Sequence, residues 1–135
     1  MDLRILEIAS HTENNKVIKN FTHKSKHKNP LCGDEMEISL IVKNDTIKDM
    51  GYQCKSCIYC QASASLLSRK SINQTLTKLN ELVEFSISFY ENKEQTFSKE
   101  WTSFNKLFKQ KNIARKECLL LPFRALAKIF KKINE

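Results

Sequence analysis

Apolar residues alternate along one short stretch of this chain and recur every three or four positions along most of the rest. Met36, Ile38, Leu40 and Val42 are separated by mostly polar neighbours, the period of a half-buried strand. Thr46 to Tyr52 reads as a second strand, with Ile47 and Met50 as core contacts, and Asn44-Asp45 as the turn between the two. A third strand is expected from Lys16-Val17-Ile18-Lys19-Asn20-Phe21-Thr22. Before it, Leu3, Leu6 and Ala9, with Ile5 and Ile8 beside them, fit a short amphipathic helix. Residues 10–29 are polar and basic and read as a loop ending at Asn29-Pro30.

From Ile58 the period becomes helical, and Ala62, Ser65, Leu66 and Arg69 carry it to Lys70. Ser71 is the expected N-cap of a second helix through Leu76, Leu79, Leu82 and Val83 to Phe89. Phe97, Trp101, Phe104, Leu107 and Phe108 keep helical spacing, and a last helix carries Leu119 to Ile133. These stripes read as core. A helix, then a small antiparallel sheet of about three strands, then several helices define an α+β fold. At 135 residues the length predicts a single domain over 1–135.

A net charge of +8 opens the possibility of nucleic acid, an anionic membrane or an acidic protein as partner. The lysines are scattered rather than gathered into a binding footprint, so no specific nucleic acid is expected. No apolar run approaches the roughly 20 residues of a membrane span, so no membrane partner is expected either. The start, Met1-Asp2-Leu3-Arg4-Ile5-Leu6-Glu7, is acidic and amphipathic, unlike a secretory signal. These features predict a cytoplasmic chain, where thiols stay reduced. Five cysteines in that setting favour metal or sulfur chemistry over a disulfide framework.

Three of those cysteines stand in distinctive surroundings. Cys32 lies in Asn29-Pro30-Leu31-Cys32-Gly33-Asp34. In an extended segment, residues i and i+2 face the same side, so a thiolate and the Asp34 carboxylate can meet one ion. Gly33 allows a positive φ between them. Cys57 precedes a helix of small residues, where free N–H groups and the helix dipole favour a thiolate. Pro122 cannot donate to the carbonyl of Cys118, so Cys118 belongs at the beginning or kink of the last helix. There, Arg115 and Lys116 would further favour its thiolate. Three thiols and a carboxylate suit tetrahedral zinc or a two-iron, two-sulfide cluster. His11, His23 and His27 lack metal-ligand spacing and read as solvated loop residues.

Cys54 and Cys60 flank Cys57 at three-residue spacing. A ferredoxin run would continue with a cysteine where Ala64 stands and a proline where Ser65 stands. Cys54 is therefore an auxiliary candidate, as ligand or sulfur relay, and Cys60 reads as a small apolar residue of the first helical turn. The pair leaves open which thiols complete the site.

Three segments together resemble the IscU/NifU/SufU family of iron–sulfur cluster assembly scaffolds, over about residues 2–130. They are Asn-Pro-Leu-Cys-Gly-Asp at 29–34, Cys57 five residues before Ala-Ser-Ala-Ser at 62–65, and Cys118 followed by Leu121-Pro122-Phe123-Arg124-Ala125-Leu126. The long stretch between Cys57 and Cys118, and Glu117 before Cys118, resemble the SufU branch. The approach Gly51-Tyr52-Gln53-Cys54-Lys55-Ser56 departs from the family's glycine-rich one.

The resemblance implies a fold of the SufE/NifU type, with Cys32, Asp34, Cys57 and Cys118 holding zinc or a transient 2Fe-2S cluster. It implies that Cys32, or next Cys118, accepts persulfide sulfur from a cysteine desulfurase. The chain would then be a scaffold rather than an enzyme in the strict sense, serving apo iron–sulfur proteins as a monomer or weak dimer. A zinc-bound sulfurtransferase accessory of the desulfurase is the near alternative. A zinc-stabilised nucleic-acid module fits less well, because Cys118 stands alone, 61 positions after Cys57, rather than in a close doublet. A redox role for Cys54-x-x-Cys57 needs a thioredoxin-like βαβ context, which the sequence does not show.

Overall fold

The computed structural model describes residues 2–30, 33–92 and 95–134. Strands β1 (His23–Lys28), β2 (Glu35–Lys43) and β3 (Thr46–Lys55) form one antiparallel sheet in that order. Asn44 and Asp45 both have positive φ, 52° and 58°, the conformation of a two-residue hairpin turn that matches strand twist. The register sets Met36 opposite Cys54, Ile38 opposite Tyr52 and Leu40 opposite Met50. All of these except Cys54 are buried. This row faces a helix layer of α2 (Ile58–Ser71) and α4 (Lys116–Ile133). Helix α1 (Leu3–Ala9) packs on α2, and α3 (Leu76–Ile87) packs on α4.

The third strand lies later than residues 16–22. It is the wholly polar His23-Lys-Ser-Lys-His-Lys28, at an edge of the sheet, where lysines discourage pairing with other chains. Its buried position is Ser25, whose hydroxyl donates to the Ala125 carbonyl of α4. Residues before it lie against β3 instead: the Tyr52 N–H donates to the Asn14 carbonyl at 3.0 Å. A Cβ on Gly51 would stand 2.6 Å from the Lys16 carbonyl oxygen, so glycine is what permits this close approach. Near the start of β3, the Ile47 N–H donates to Gln74, and Thr46 bridges to Thr75.

Helix α3 begins later than expected. Ser71 closes α2, and the Thr75 hydroxyl accepts from the Lys78 N–H at 3.2 Å. Beyond α3 the chain forms short 3₁₀ segments, Phe89–Glu91, Lys99–Lys106 and Gln110–Arg115. Trp101, Phe104 and Leu107 recur every third residue, matching the 3₁₀ period and not the α period. They join an aromatic cluster in which Phe97 lies 4.9 Å from Phe85 and 5.2 Å from both Phe89 and Phe108, between ring centroids. No described helix is long and apolar enough to cross a membrane.

Candidate metal centre

Three elements converge at one end of the sheet: the loop before β2 and the starts of α2 and α4. The loop before β2 is closed on itself: the Asn29 N–H donates to the Asp34 carbonyl, and the Gly33 N–H donates to the Asn29 carbonyl, each at 2.8 Å. Gly33 adopts φ 78°, which a side chain would strain. This loop places Asp34. Cys57 is the extended residue before α2, and Cys60 lies in its first turn. Cys118 lies in the first turn of α4, ahead of Pro122. The two helices approach closely because Ala62, Ser63, Ala64 and Ser65 are small and buried. The Ser63 hydroxyl donates to the Leu119 carbonyl at 2.6 Å, one residue from Cys118.

The carboxylate of Asp34 and the sulfurs of Cys57, Cys60 and Cys118 all lie within 4.8 Å of one another. Cys60 Sγ is 4.0 Å from Cys57 Sγ and 3.8 Å from Asp34 Oδ2. Of the residues expected at the site, Asp34, Cys57 and Cys118 therefore come together, and Cys32 lies outside the described residues. Cys54 is half-buried near the end of β3 and is not among the four. Cys60 joins them. It is fully buried, as its reading as a small core residue required, yet its sulfur also meets the cluster. The signal for this was its spacing: residues i and i+3 across a helix start share a face.

The thiols are not equivalent. The Cys57 thiol is lowered to about 5, chiefly by the hydrogen bond between its sulfur and that of Cys60. The N–H groups of Cys60 and Tyr59 add to this, although neither makes a full capping bond. Cys60 is strongly raised, first by its hydrogen bond to Cys57 and then by burial. Cys118 is raised to about 11, mainly by burial and then by the hydrogen bond to Cys57. Against the help expected from Arg115 and Lys116, the Cys118 thiol is raised rather than lowered; the Arg115 guanidinium lies over the Tyr59 ring, 5.5 Å from its centroid. Cys54 is raised by burial. The histidines stay out of the cluster. His11 pairs with Glu7 at 3.2 Å, and His27 is half-buried with its pKa lowered by that burial.

The donor set fits a metal. Four ligands about 2.3 Å from one ion stand about 3.8 Å apart at the corners of a tetrahedron. The 4.0 Å and 3.8 Å separations involving Cys60 match that edge. Soft thiolates with one carboxylate suit zinc or iron–sulfur chemistry.

An α+β domain whose helix starts gather three thiols and a carboxylate has the makings of a centre for soft metal ions or clusters. The sequence matches the NifU-like N terminal domain family over residues 2–92. It is 32% identical over 110 residues to the iron–sulfur cluster assembly scaffold protein IscU of Thermotoga maritima, covering 79% of this chain and 75% of that one. The fold matches the N-terminal part of a NifU-like protein from Brucella abortus with a TM-score of 0.88 at 22% identity, over 98% of this chain and 93% of that one. It also matches a protein of Fervidobacterium islandicum AW-1, named for a scaffold role in the SUF system, with a TM-score of 0.86 at 23% identity. That match covers 96% of this chain and 95% of the other. The chain belongs to the NifU-like N terminal domain family.

Proposed function

We propose that this chain is an iron–sulfur cluster assembly scaffold that accepts persulfide sulfur from a cysteine desulfurase and passes clusters to apo iron–sulfur proteins. The observation that carries this reading is the convergence of Asp34, Cys57, Cys60 and Cys118 within 4.8 Å. The metal or nascent cluster is cargo. It is held by Asp34, Cys57, Cys118 and one further cysteine, either Cys32 by its motif or Cys60 by its position. A single oxygen donor among thiolates is a weaker partner for a cluster, which favours release over storage.

In the sulfur step, an acceptor thiolate attacks the outer sulfur of the desulfurase persulfide. A new S–S bond forms on the acceptor, the old one breaks, and the desulfurase leaves as a thiolate. Cys32 is the first candidate for this acceptor, with Cys118 next. The long helical region before Cys118, and Glu117 beside it, support a role of the SufU kind. A zinc-bound sulfurtransferase accessory is the second reading, supported by separations that match a single tetrahedral ion.

The test is the metal and acid-labile sulfide content of anaerobically purified protein, with its visible spectrum. About two irons and two sulfides per chain or per dimer, with colour, support the cluster scaffold. About one colourless zinc per chain without sulfide supports the sulfur-transfer role. Protein that takes up neither metal, nor sulfur from a persulfide, refutes both.

A further inference from the structure

We propose that the cleft between α3 and the segment leading to Trp101 is a docking pocket for an arginine side chain on an exposed segment of a partner protein. The cleft has a volume of about 360 Å³, and none of its residues belongs to the metal centre. Its floor is Leu82, Phe85, Phe97 and Trp101, and its mouth is Glu81, Thr96 and Ser98. The floor is held by packing: the rings of Phe85 and Phe97 meet edge to face at 4.9 Å, and the Phe97 N–H donates to Asn105 Oδ1 at 3.0 Å. A pocket fixed in this way loses little freedom when it is filled.

The charge at the mouth selects the occupant. Residues 79–100 hold five glutamates and two lysines, although the chain carries +8 overall. Lys78 and Glu100 pair across the two walls at 3.1 Å, which neutralises Glu100. Glu81 stands one turn further along α3, exposed and without a basic partner among the described residues. A carboxylate above an aromatic floor suits a cation with an apolar stem. Arginine fits it best, because its guanidinium both stacks on aromatic rings and forks onto a carboxylate.

The cleft is open on the side of Glu81, Thr96 and Ser98, all of which are exposed. A ligand site that binds a free small molecule encloses most of its surface, and an open cleft of this size does not. An arginine within a polypeptide gains the missing contacts from its neighbours, whose backbone can meet the Thr96 and Ser98 hydroxyls.

Trp101 is the chain's single tryptophan, so its fluorescence reports the pocket directly. The test titrates full-length zinc-loaded protein with the tripeptide acetyl-Leu-Arg-Leu-amide, and with the same tripeptide carrying glutamine for arginine. The arginine peptide should change the Trp101 emission saturably, and the glutamine peptide should not. Glu81→Gln should weaken binding at least about tenfold, the worth of one hydrogen bond to a charged group. Thr96→Lys, which plants a cation at the mouth, should remove it. Both positions are exposed, and circular dichroism checks that each variant is folded.

No saturable change in wild type, or equal affinity in folded Glu81→Gln, overturns the proposal. Free arginine amide binding as tightly as the tripeptide overturns the polypeptide occupant, and an emission shift on raising the protein concentration alone replaces it with a second copy of this chain. Each of these outcomes leaves the proposed function standing, because the variants do not touch the metal centre.

Discussion

The unequal thiols of the centre predict a steep order of reactivity in metal-free protein. Cys57 is held at about 5, and Cys118 is raised to about 11. At pH 7 Cys57 is almost wholly thiolate, whereas only about one Cys118 in 10⁴ is ionised. Intrinsic nucleophilicity works the other way, falling with basicity at a Brønsted slope of about 0.4–0.5. Over six units of pKa that returns about 2.7 of the four powers of ten. Both residues are half-buried, so access does not separate them strongly. The net preference is about 20-fold for Cys57. Iodoacetamide pulses on metal-free, reduced protein, mapped by peptide mass spectrometry, measure it directly. The Cys57 rate should be flat from pH 6.5 to 8.5, since its thiol is already ionised there. The Cys118 rate should climb about tenfold per unit. A Cys57 rate that climbs tenfold per unit through pH 7, or Cys118 labelled first, refutes the hydrogen-bonded account of the site.

Other perturbations test the frame around the centre. Gly51→Ala drives a Cβ into the Lys16 carbonyl and should cost about 1–3 kcal/mol, read as a thermal midpoint lowered by about 3–10 °C; an unchanged midpoint contradicts the close approach. Ser63→Ala leaves the Leu119 carbonyl without its hydroxyl donor. It should cost about 1 kcal/mol and weaken zinc binding by loosening the helix start that carries Cys118. Unchanged stability and affinity in that variant would show the contact to be idle. Zinc at 100 times its dissociation constant should stabilise the fold by about 2.7 kcal/mol, or about 10 °C at this chain length. Cys57→Ala should abolish most of that gain, and a full gain in it would remove Cys57 from the ligand set.

What the sequence revealed follows the physics of each signal. The β2–β3 hairpin was legible because one face is buried, which forces alternation, and because Asn44-Asp45 tolerates positive φ. Strand β1 was not, since its buried position is a serine bonded to α4, and an edge strand of lysines has no apolar period to read. Ser71 and Thr75 are both plausible caps. Packing against β3, through Leu76 N–H to Asp45 and Ile47 N–H to Gln74, decides for Thr75. The aromatic stripe after Phe89 fits a three-residue period almost as well as an α period, and the cluster it builds selects the former. Asp34, Cys57 and Cys118 stood out by motif. Cys60 was hidden because a cysteine in a first helical turn reads as a small core residue, and it is one, although its sulfur also meets the cluster. The thiolate expected at Cys118 from Arg115 and Lys116 gives way to burial and the neighbouring Cys57, which no local pattern announces.

Helix α4 brings to the centre the donor most distant along the chain. Asp34, Cys57 and Cys60 lie within 27 consecutive residues, but Cys118 follows Cys60 by 58 positions. Closing a loop of that length costs about 3–4 kcal/mol in chain entropy, a sum met by the burial of Leu119, Leu120, Phe123 and Leu126 rather than by the thiol itself. During synthesis the first three donors would therefore be exposed as an incomplete, open-sided chelate until the last helix docks. On the function proposed above, ion capture is a late folding event, and the ion bridges segments 58 residues apart along the chain.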